Sequence, residues 1–107
     1  MLCKIISLNV RGLRYRTKRR VVFNLCHKRG YHIICLQETY SKIGDENIWK
    51  NEWGGDILYN HGTIHSCGVM ILFSNKLPYS IDDVDIDEQG RFILAKISIE
   101  GSSFLYW

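Results

Sequence analysis

Residues 2–37, LCKIISLNVRGLRYRTKRRVVFNLCHKRGYHIICLQ, decide the fold class of this 107-residue chain. Residues 2–8 are apolar and β-branched with a single charge, a pattern typical of a strand covered on both faces. Thr17 is the predicted N-cap of a helix that Gly30 ends, and residues 31–36 have the pattern of a second buried strand. Because a helical crossover joins parallel strands, this unit predicts an α/β protein.

Several side chains are assigned to the core. The predicted helix is expected to bury an apolar face that consists of Val21, Val22, Leu25 and Cys26. The aromatic side chains assigned to the core, in preference to base stacking, are Trp49, Trp53, Tyr59, Phe73 and Phe92. Cys35 lies in an apolar run, where a thiol serves as a small buried hydrophobe.

The second part of the chain changes character. A short helix is predicted within residues 41–51, before Gly54 and Gly55 interrupt the chain. The β-like runs that follow are residues 56–60, 68–74, 81–86 and 91–99. Turn signals at residues 87–90 and 100–101 are typical of hairpins, so the later strands are expected to be antiparallel.

The last residues predict an unfinished layer. Residues 103–107 begin an apolar strand that no further element follows. A sheet that opens with a parallel crossover and continues as an antiparallel meander needs a second layer over its inner face. We therefore expect residues 1–107 to be a truncated domain, with an uncovered face on the strands at 68–74 and 91–99. Such a fragment is expected to fold poorly and to be inactive alone.

Composition excludes several classes of protein. With 46% hydrophobic and 23% charged residues, the chain has the composition of one soluble globular domain. No apolar run approaches the ~20 residues that span a bilayer, and no signal peptide is expected. The cysteines are too widely spaced for a thiolate zinc site, so free thiols in a reducing, intracellular compartment are expected at Cys3, Cys26, Cys35 and Cys67.

The net charge of +3 hides two opposite segments. Residues 1–37 carry nine basic and no acidic side chains, whereas the remaining seventy residues carry five basic and eleven acidic ones. Basic residues crowd into positions 11–20, a cluster that can attract a polyanion. The candidate nucleic-acid contacts are Arg11, Arg14, Arg16 and Arg19. The alternative is a solvated basic face that balances the acidic residues 82–88.

Two polar residues follow the predicted parallel strands. Asn9 ends the first strand, and Glu38 follows Gln37 at the end of the second. Ligands of α/β sheets bind at the carboxyl ends of the strands, and neighbouring parallel strands place those ends side by side. A carboxamide and a carboxylate offer the hard oxygen ligands that Mg²⁺ prefers. The alternative is that Glu38 is only the first solvated residue after a strand.

Four segments together resemble a known family. KIISLNVRGL at 4–13, IICLQET at 33–39, SCGVMILFS at 66–74 and GRF at 90–92 resemble the successive N-terminal blocks of the endonuclease/exonuclease/phosphatase family. The resemblance covers essentially all of the chain. It is strongest to the apurinic-endonuclease-like domain of LINE-type non-LTR retrotransposons, relatives of exodeoxyribonuclease III. It implies the N-terminal half of a four-layer, DNase I-like α/β sandwich, with a mixed sheet and flanking helices.

The resemblance also assigns roles to a few residues. Glu38 matches the divalent-metal ligand of the family, and Asn9 matches the Asn that orders the metal and phosphate site. Both residues are therefore expected to be catalytic, with Mg²⁺ or Mn²⁺ as cofactor. Arg11 stands where repair enzymes of the family have Asp, and Tyr40 where many have Lys. Both departures favour the retrotransposon branch.

The later family blocks, which supply a Tyr, an Asp-x-Asn pair and a terminal His, have no counterpart in the chain. The histidines match no block and are expected to be surface or loop residues: His27, His32, His61 and His65. The resemblance implies a Mg²⁺-dependent endonuclease that nicks DNA in the nucleus, with a reverse transcriptase domain on the same chain. The alternatives are an apurinic/apyrimidinic or exodeoxyribonuclease III-like repair nuclease, and a remnant that binds nucleic acid without catalysis.

Overall fold

A computed structural model describes residues 3–62 and 67–99, together with the backbone of a strand at 102–106. In chain order, the described elements are β1 (Ile5–Asn9), α1 (Arg16–Arg29), β2 (Ile33–Gln37), α2 (Glu46–Trp53), β3 (Ile57–Asn60), β4 (Val69–Phe73), β5 (Tyr79–Ile86), β6 (Ile93–Ile99) and β7 (Ser102–Tyr106). A single 3₁₀ turn at Ile43–Asp45 leads into α2.

The strands form two sheets. The first is a mixed sheet with the order β1-β2-β4-β3, in which β1 and β2 are parallel and the other two pairings are antiparallel. The second sheet, β5-β6-β7, is antiparallel throughout. The predicted parallel crossover and the predicted antiparallel pairing of the later strands are both confirmed.

Helix α1 ends as the sequence predicts. Gly30 adopts a left-handed conformation, with φ of 68°, and its N–H donates to the carbonyl groups of Cys26 and His27. The start differs slightly, because the N-cap is Tyr15 rather than Thr17, and Tyr15 makes no side-chain capping bond.

The predicted buried face of α1 is partly wrong. Cys26 is buried, but Val21 is 62% exposed and Leu25 is 43% exposed. The helix instead buries Arg19, Phe23 and Cys26, which share one face because they lie four and three residues apart. A charged side chain thus occupies a position that hydrophobic patterning assigns to the outside.

Helices cover one face of the first sheet. Trp49 and Trp53 of α2 and Phe23 of α1 are buried against this face. The sheet side chains in the same cluster include Ile34, Leu36, Met70 and Leu72. Both tryptophans are therefore core residues, as their sequence context predicts.

The second sheet covers the other face of the first. The buried side chains between the two sheets are Ile33, Cys35, Ile71, Phe73, Leu77, Ile93, Ala95, Ile97 and Ile99. Strands β2 and β4 thus send alternate side chains into two cores, the expected result of a two-residue period. The predicted burial of Cys35 and Phe73 is confirmed.

The expected uncovered face on the later strands is a prediction that the structure corrects. The inner side chains of β4 and β6 bury one another, because this chain supplies a strand layer on each side of the inter-sheet core. Tyr59 is half-buried, whereas Phe92 is 41% exposed and was wrongly assigned to the core. Phe92 lies just before β6, where sheet packing has not yet begun.

The described residues thus form successive layers of helices, mixed sheet and antiparallel sheet, which confirms the α/β sandwich architecture. Among the residues that the structure describes, no helix is long and apolar enough to cross a membrane.

Candidate functional site

The carboxyl ends of β1 and β2 lie side by side. Asn9 is the register partner of Gln37, and Glu38 is the next residue along the chain. The pairing continues beyond the strands, because Val10 N–H donates to the Gln37 carbonyl at 3.0 Å and Gly12 N–H donates to the Glu38 carbonyl at 2.6 Å. The structure therefore brings together the backbones of the two residues that the sequence singles out as metal ligands.

The two candidate ligands differ in their contacts. Asn9 Oδ1 accepts a hydrogen bond from Arg11 N–H at 3.1 Å, a local bond that fixes the turn after β1. Glu38 is a partly buried residue, and its carboxylate forms no hydrogen bond or ion pair with any residue that the structure describes. A carboxylate without such a partner remains available to a cation.

Backbone strain concentrates at the same edge. Among the described residues other than glycine, positive φ angles occur at Arg11 (49°), Glu38 (55°) and Tyr40 (56°). Each such conformation costs about 1–3 kcal/mol and persists only where the surrounding structure enforces it. All three residues lie in the two loops that follow β1 and β2, so the strain is confined to the candidate site.

The loop after β2 rests on the segment that leads into β4. Thr39 N–H donates to the Gly68 carbonyl at 3.3 Å, and Tyr40 N–H donates to the Cys67 carbonyl at 2.7 Å. Gly68 itself has φ of 79°, and a Cβ atom there would lie 2.8 Å from the His61 carbonyl oxygen. Gly68 therefore has a structural role.

Gly68→Ala is expected to destabilise the chain by about 2 kcal/mol or more, because the new methyl group meets backbone atoms and the left-handed conformation becomes strained. The measurement is urea unfolding. Gly44→Ala is the matched control, since a Cβ atom at Gly44 has no neighbour within 4 Å. Equal midpoints for the two variants would contradict this role of Gly68.

Tyr40 borders the site. Its ring packs beside Gly12, where a Cβ atom would lie 3.5 Å from the ring. A hydrogen bond with the Cys67 side chain is the main cause that raises the pKa of Tyr40, and the nearby Glu38 carboxylate contributes less. The phenol therefore stays neutral at physiological pH and can donate a hydrogen bond.

The predicted nucleic-acid contacts have different surroundings. Arg11 is exposed and its side chain makes no hydrogen bond or ion pair with described residues, and the Arg16 side chain is 75% exposed with its Nε 4.0 Å from a Glu52 oxygen. Arg14 is half-exposed and pairs with Asp45 at 2.5 Å. Arg11, Arg14 and Arg16 are thus reachable from solvent.

Arg19 requires a correction. Only 5% of the residue is exposed, and its guanidinium binds both carboxylate oxygens of Glu52, at 2.7 and 3.1 Å. Nη1 also donates to the carbonyl groups of Leu13 and Arg14, and the guanidinium lies 5.0 Å from the Trp49 ring centroid. Because these partners engage the guanidinium, Arg19 joins α1 to α2 instead of facing a phosphate.

Sequence reasoning missed the role of His61. His61 lies in the loop after β3, as expected of a loop histidine, but both of its ring nitrogens are engaged, Nδ1 with Ser41 Oγ at 2.7 Å and Nε2 with a Glu46 oxygen at 2.6 Å. No spacing signal could have revealed it, since the partners lie 20 and 15 residues away. His65 lies outside the described residues.

Residues 6–105 match the model of the Endonuclease/Exonuclease/phosphatase family. The chain belongs to this family. The match includes Asn9, Glu38 and the whole of the strained edge, so the resemblance found in the four sequence segments is confirmed.

Among curated proteins, the chain is similar to the "Transposon TX1 uncharacterized 149 kDa protein" of Xenopus laevis. The two are 30% identical over 104 residues, which are 97% of this chain and 8% of that protein.

Two solved structures share the fold. A functionally unknown conserved protein from Enterococcus faecalis V583 matches with a TM-score of 0.65 at 16% identity, over 94% of this chain and 50% of the other. An endonuclease/exonuclease/phosphatase family protein from Leptotrichia buccalis C-1013-b matches with a TM-score of 0.62 at 15% identity, over 97% of this chain and 52% of the other. The chain therefore spans about half the length of each of these two solved structures.

The described residues fit a divalent metal site that has few protein ligands. They contain no group of three His, Cys, Asp or Glu side chains that could enclose a metal ion. Mg²⁺ requires no such group, since it keeps several waters and binds through one or two carboxylates together with substrate phosphates. Glu38 with its unpaired carboxylate and Asn9 with a remaining carbonyl lone pair meet that requirement.

Proposed function

We propose that the chain contributes the metal-binding edge of a nuclease that hydrolyses phosphodiester bonds in DNA. The observation that carries the proposal is that the Glu38 carboxylate has no hydrogen-bond or ion-pair partner among the described residues, and that its backbone lies beside that of Asn9 at the strained edge of a family fold. A carboxylate without such a partner remains available to a ligand.

The roles of the two residues follow from their chemistry. Glu38 would be the anionic ligand, and the Asn9 carboxamide would orient the ligand shell and a phosphate oxygen. The family chemistry that Mg²⁺ supplies is polarisation of the scissile phosphate and stabilisation of the leaving 3′ oxygen. Tyr40, neutral and adjacent to Glu38, can donate a hydrogen bond to a phosphate without adding charge.

The basic loop after β1 and the start of α1 would guide the DNA backbone to this edge. Arg11 and Arg16 are exposed, and Arg14 retains part of its surface. Guanidinium groups bind phosphates with bidentate geometry, which makes them suitable for binding the DNA backbone independently of sequence. Arg19 has no part in this surface.

Replacing Arg11, Arg14 and Arg16 together with Gln is expected to weaken DNA binding and to reduce its salt dependence. Each lost phosphate contact removes about 0.9 from the slope of log K against log salt, so the slope should flatten by up to about 3. The measurement is fluorescence anisotropy with a labelled duplex across a salt series.

The matched control is the triple replacement of Lys28, Arg29 and Lys76 with Gln. It removes the same charge from the opposite edge, at the end of α1 and in the turn after β4. An equal flattening by both triple variants would show that net charge, and not this loop, determines binding.

The similarity to a transposon protein extends the proposal. We infer that the domain acts as the DNA-nicking module of a LINE-type mobile element, in which the exposed 3′ hydroxyl primes reverse transcription in the nucleus. This is supported by the similarity of 97% of the chain to 8% of a 149 kDa transposon protein, whose remaining length leaves room for a reverse transcriptase domain.

A nicking assay tests the proposed function. A protein that carries this chain within a complete domain should convert supercoiled plasmid to the open circle in Mg²⁺ or Mn²⁺, and EDTA should stop the reaction. Faster cleavage of a duplex with one abasic site than of intact DNA would indicate a repair nuclease instead. DNA binding without any nicking would indicate a non-catalytic remnant.

A further inference from the structure

A chain of hydrogen bonds runs beneath the loop that carries Glu38. The Thr39 hydroxyl donates to Ser41 Oγ at 3.3 Å, and Ser41 Oγ lies 2.7 Å from His61 Nδ1. His61 Nε2 lies 2.6 Å from a carboxylate oxygen of Glu46. Thr39 and Ser41 are buried, with Ser41 only 3% exposed, so water does not readily replace these partners.

The direction of the hydrogen bonds follows from the acceptor at one end. A carboxylate only accepts, so His61 Nε2–H donates to Glu46. His61 Nδ1 then accepts the proton of the Ser41 hydroxyl, whose oxygen accepts from Thr39. In this assignment of the ring nitrogens, every group in the chain of hydrogen bonds has a partner.

The chain of hydrogen bonds ties three elements together. Ser41 belongs to the loop after β2, Glu46 is the first residue of α2, and His61 follows β3. Tyr59 supports the same junction, since its hydroxyl donates to the Glu46 carbonyl at 3.1 Å and its ring centroid lies 5.2 Å from that of His61. His61 is thus held on two sides.

This arrangement matters because no side-chain hydrogen bond or ion pair among the described residues holds Glu38. Its placement depends on its backbone, which is strained at φ of 55° and is followed directly by Thr39. A strained conformation persists only where neighbouring contacts enforce it. The hydrogen bonds of Thr39 and Ser41 supply such contacts on the buried side of the loop.

We propose that His61 is a positioning residue for Glu38. Through Ser41 and Thr39 it holds the loop in the conformation that keeps the carboxylate free for a divalent cation. This inference rests on the proposed function. Ser41 is not a nucleophile in this arrangement, because its buried hydroxyl cannot reach a substrate.

His61→Ala in the 107-residue chain tests the proposal by two NMR measurements. Without metal, the amides of Thr39 and Tyr40 should exchange with solvent about tenfold faster, since their bonds to the β4 segment open more often. With Mn²⁺ as the probe, the Kd obtained from paramagnetic broadening of the Glu38 amide should rise about tenfold, as for other residues that orient metal ligands.

Two variants separate positioning from a general loss of stability. His61→Asn places an acceptor close to the position of Nδ1, so it should recover much of the Mn²⁺ affinity that His61→Ala loses. His27→Ala removes a histidine that stacks on Trp53 at 4.0 Å and bonds to its carbonyl at 2.8 Å. It should destabilise the chain yet leave the exchange of Thr39 and the Mn²⁺ Kd unchanged.

Ser41→Ala removes the hydroxyl that joins Thr39 to His61 and changes fewer atoms than His61→Ala. If His61→Ala does not fold, the same two measurements on Ser41→Ala test the positioning role. Unchanged exchange and unchanged Mn²⁺ affinity in folded variants would overturn the positioning role while leaving the proposed function intact. Absence of Mn²⁺ broadening at Glu38 in the wild-type chain would instead contradict the metal site, and the exchange rates would still decide whether His61 holds the loop.

Discussion

Glu38→Gln is expected to lower plasmid nicking at least about a hundredfold in a protein that carries this chain within a complete domain. The substitution keeps the shape of the side chain and removes the anionic ligand. A metal ligand is worth several kcal/mol of transition-state stabilisation, and about 3 kcal/mol corresponds to roughly a hundredfold in rate. The measurement is the rate of open-circle formation at saturating Mg²⁺.

The same variant should fold as well as the wild type. Glu38 has no hydrogen-bond or ion-pair partner among the described residues, so the amide leaves no such partner unsatisfied, and glutamine experiences the same backbone strain. Glu88→Gln, at an exposed position in the turn before β6, is the matched control and should nick at the wild-type rate. Wild-type nicking by Glu38→Gln would remove the basis for the metal site.

Arg19→Ala is expected to destabilise the chain by about 3 kcal/mol. The change leaves Glu52, which is largely shielded from water, without its main cationic partner, and it frees the carbonyl groups of Leu13 and Arg14. Removing one member of a buried ion pair typically costs 3–5 kcal/mol, and the residual exposure of Glu52 places this case at the lower end. The measurement is urea unfolding followed by tryptophan fluorescence.

Two comparisons make this result specific. Arg16→Ala removes the same charge three residues earlier, but its side chain is mostly exposed, so a change within about 0.5 kcal/mol is expected. The double variant Arg19→Met with Glu52→Leu should recover part of the loss, since it removes both charges together. Equal effects of Arg16→Ala and Arg19→Ala would show that the pair with Glu52 contributes nothing.

The layers of the fold could be predicted because they follow from local patterns. Apolar, β-branched runs predicted β1, β2 and β4, and Gly30 predicted the end of α1. The burial of β1 on both faces was wrongly predicted, because β1 lies at the edge of its sheet and Ile5 is 46% exposed. The cover on the inner face of β4 could not be predicted in this way. It depends on where β6 returns in space, and hydrophobic periodicity reports that a face is buried without saying which element buries it.

In the candidate site, too, only the features that follow from local sequence could be predicted. Asn9 and Glu38 could be predicted because the end of a strand is a local feature and parallel pairing is a general rule. The roles of Arg19 and His61 depend on partners 33 and 15 to 20 residues away, which no local pattern contains. A basic side chain in a basic cluster therefore looked exposed although it is buried.

The alternating side chains of β2 and β4 have a consequence for how the molecule melts. Leu36 belongs to the core under the helices, while its neighbour Cys35 belongs to the core between the sheets. Neither core can come apart without displacing a strand that the other requires. The helical layer and the second sheet are therefore not separate folding units. Because β2 and β4 belong to both cores, a substitution that destabilises either layer lowers the midpoint of one cooperative unfolding transition.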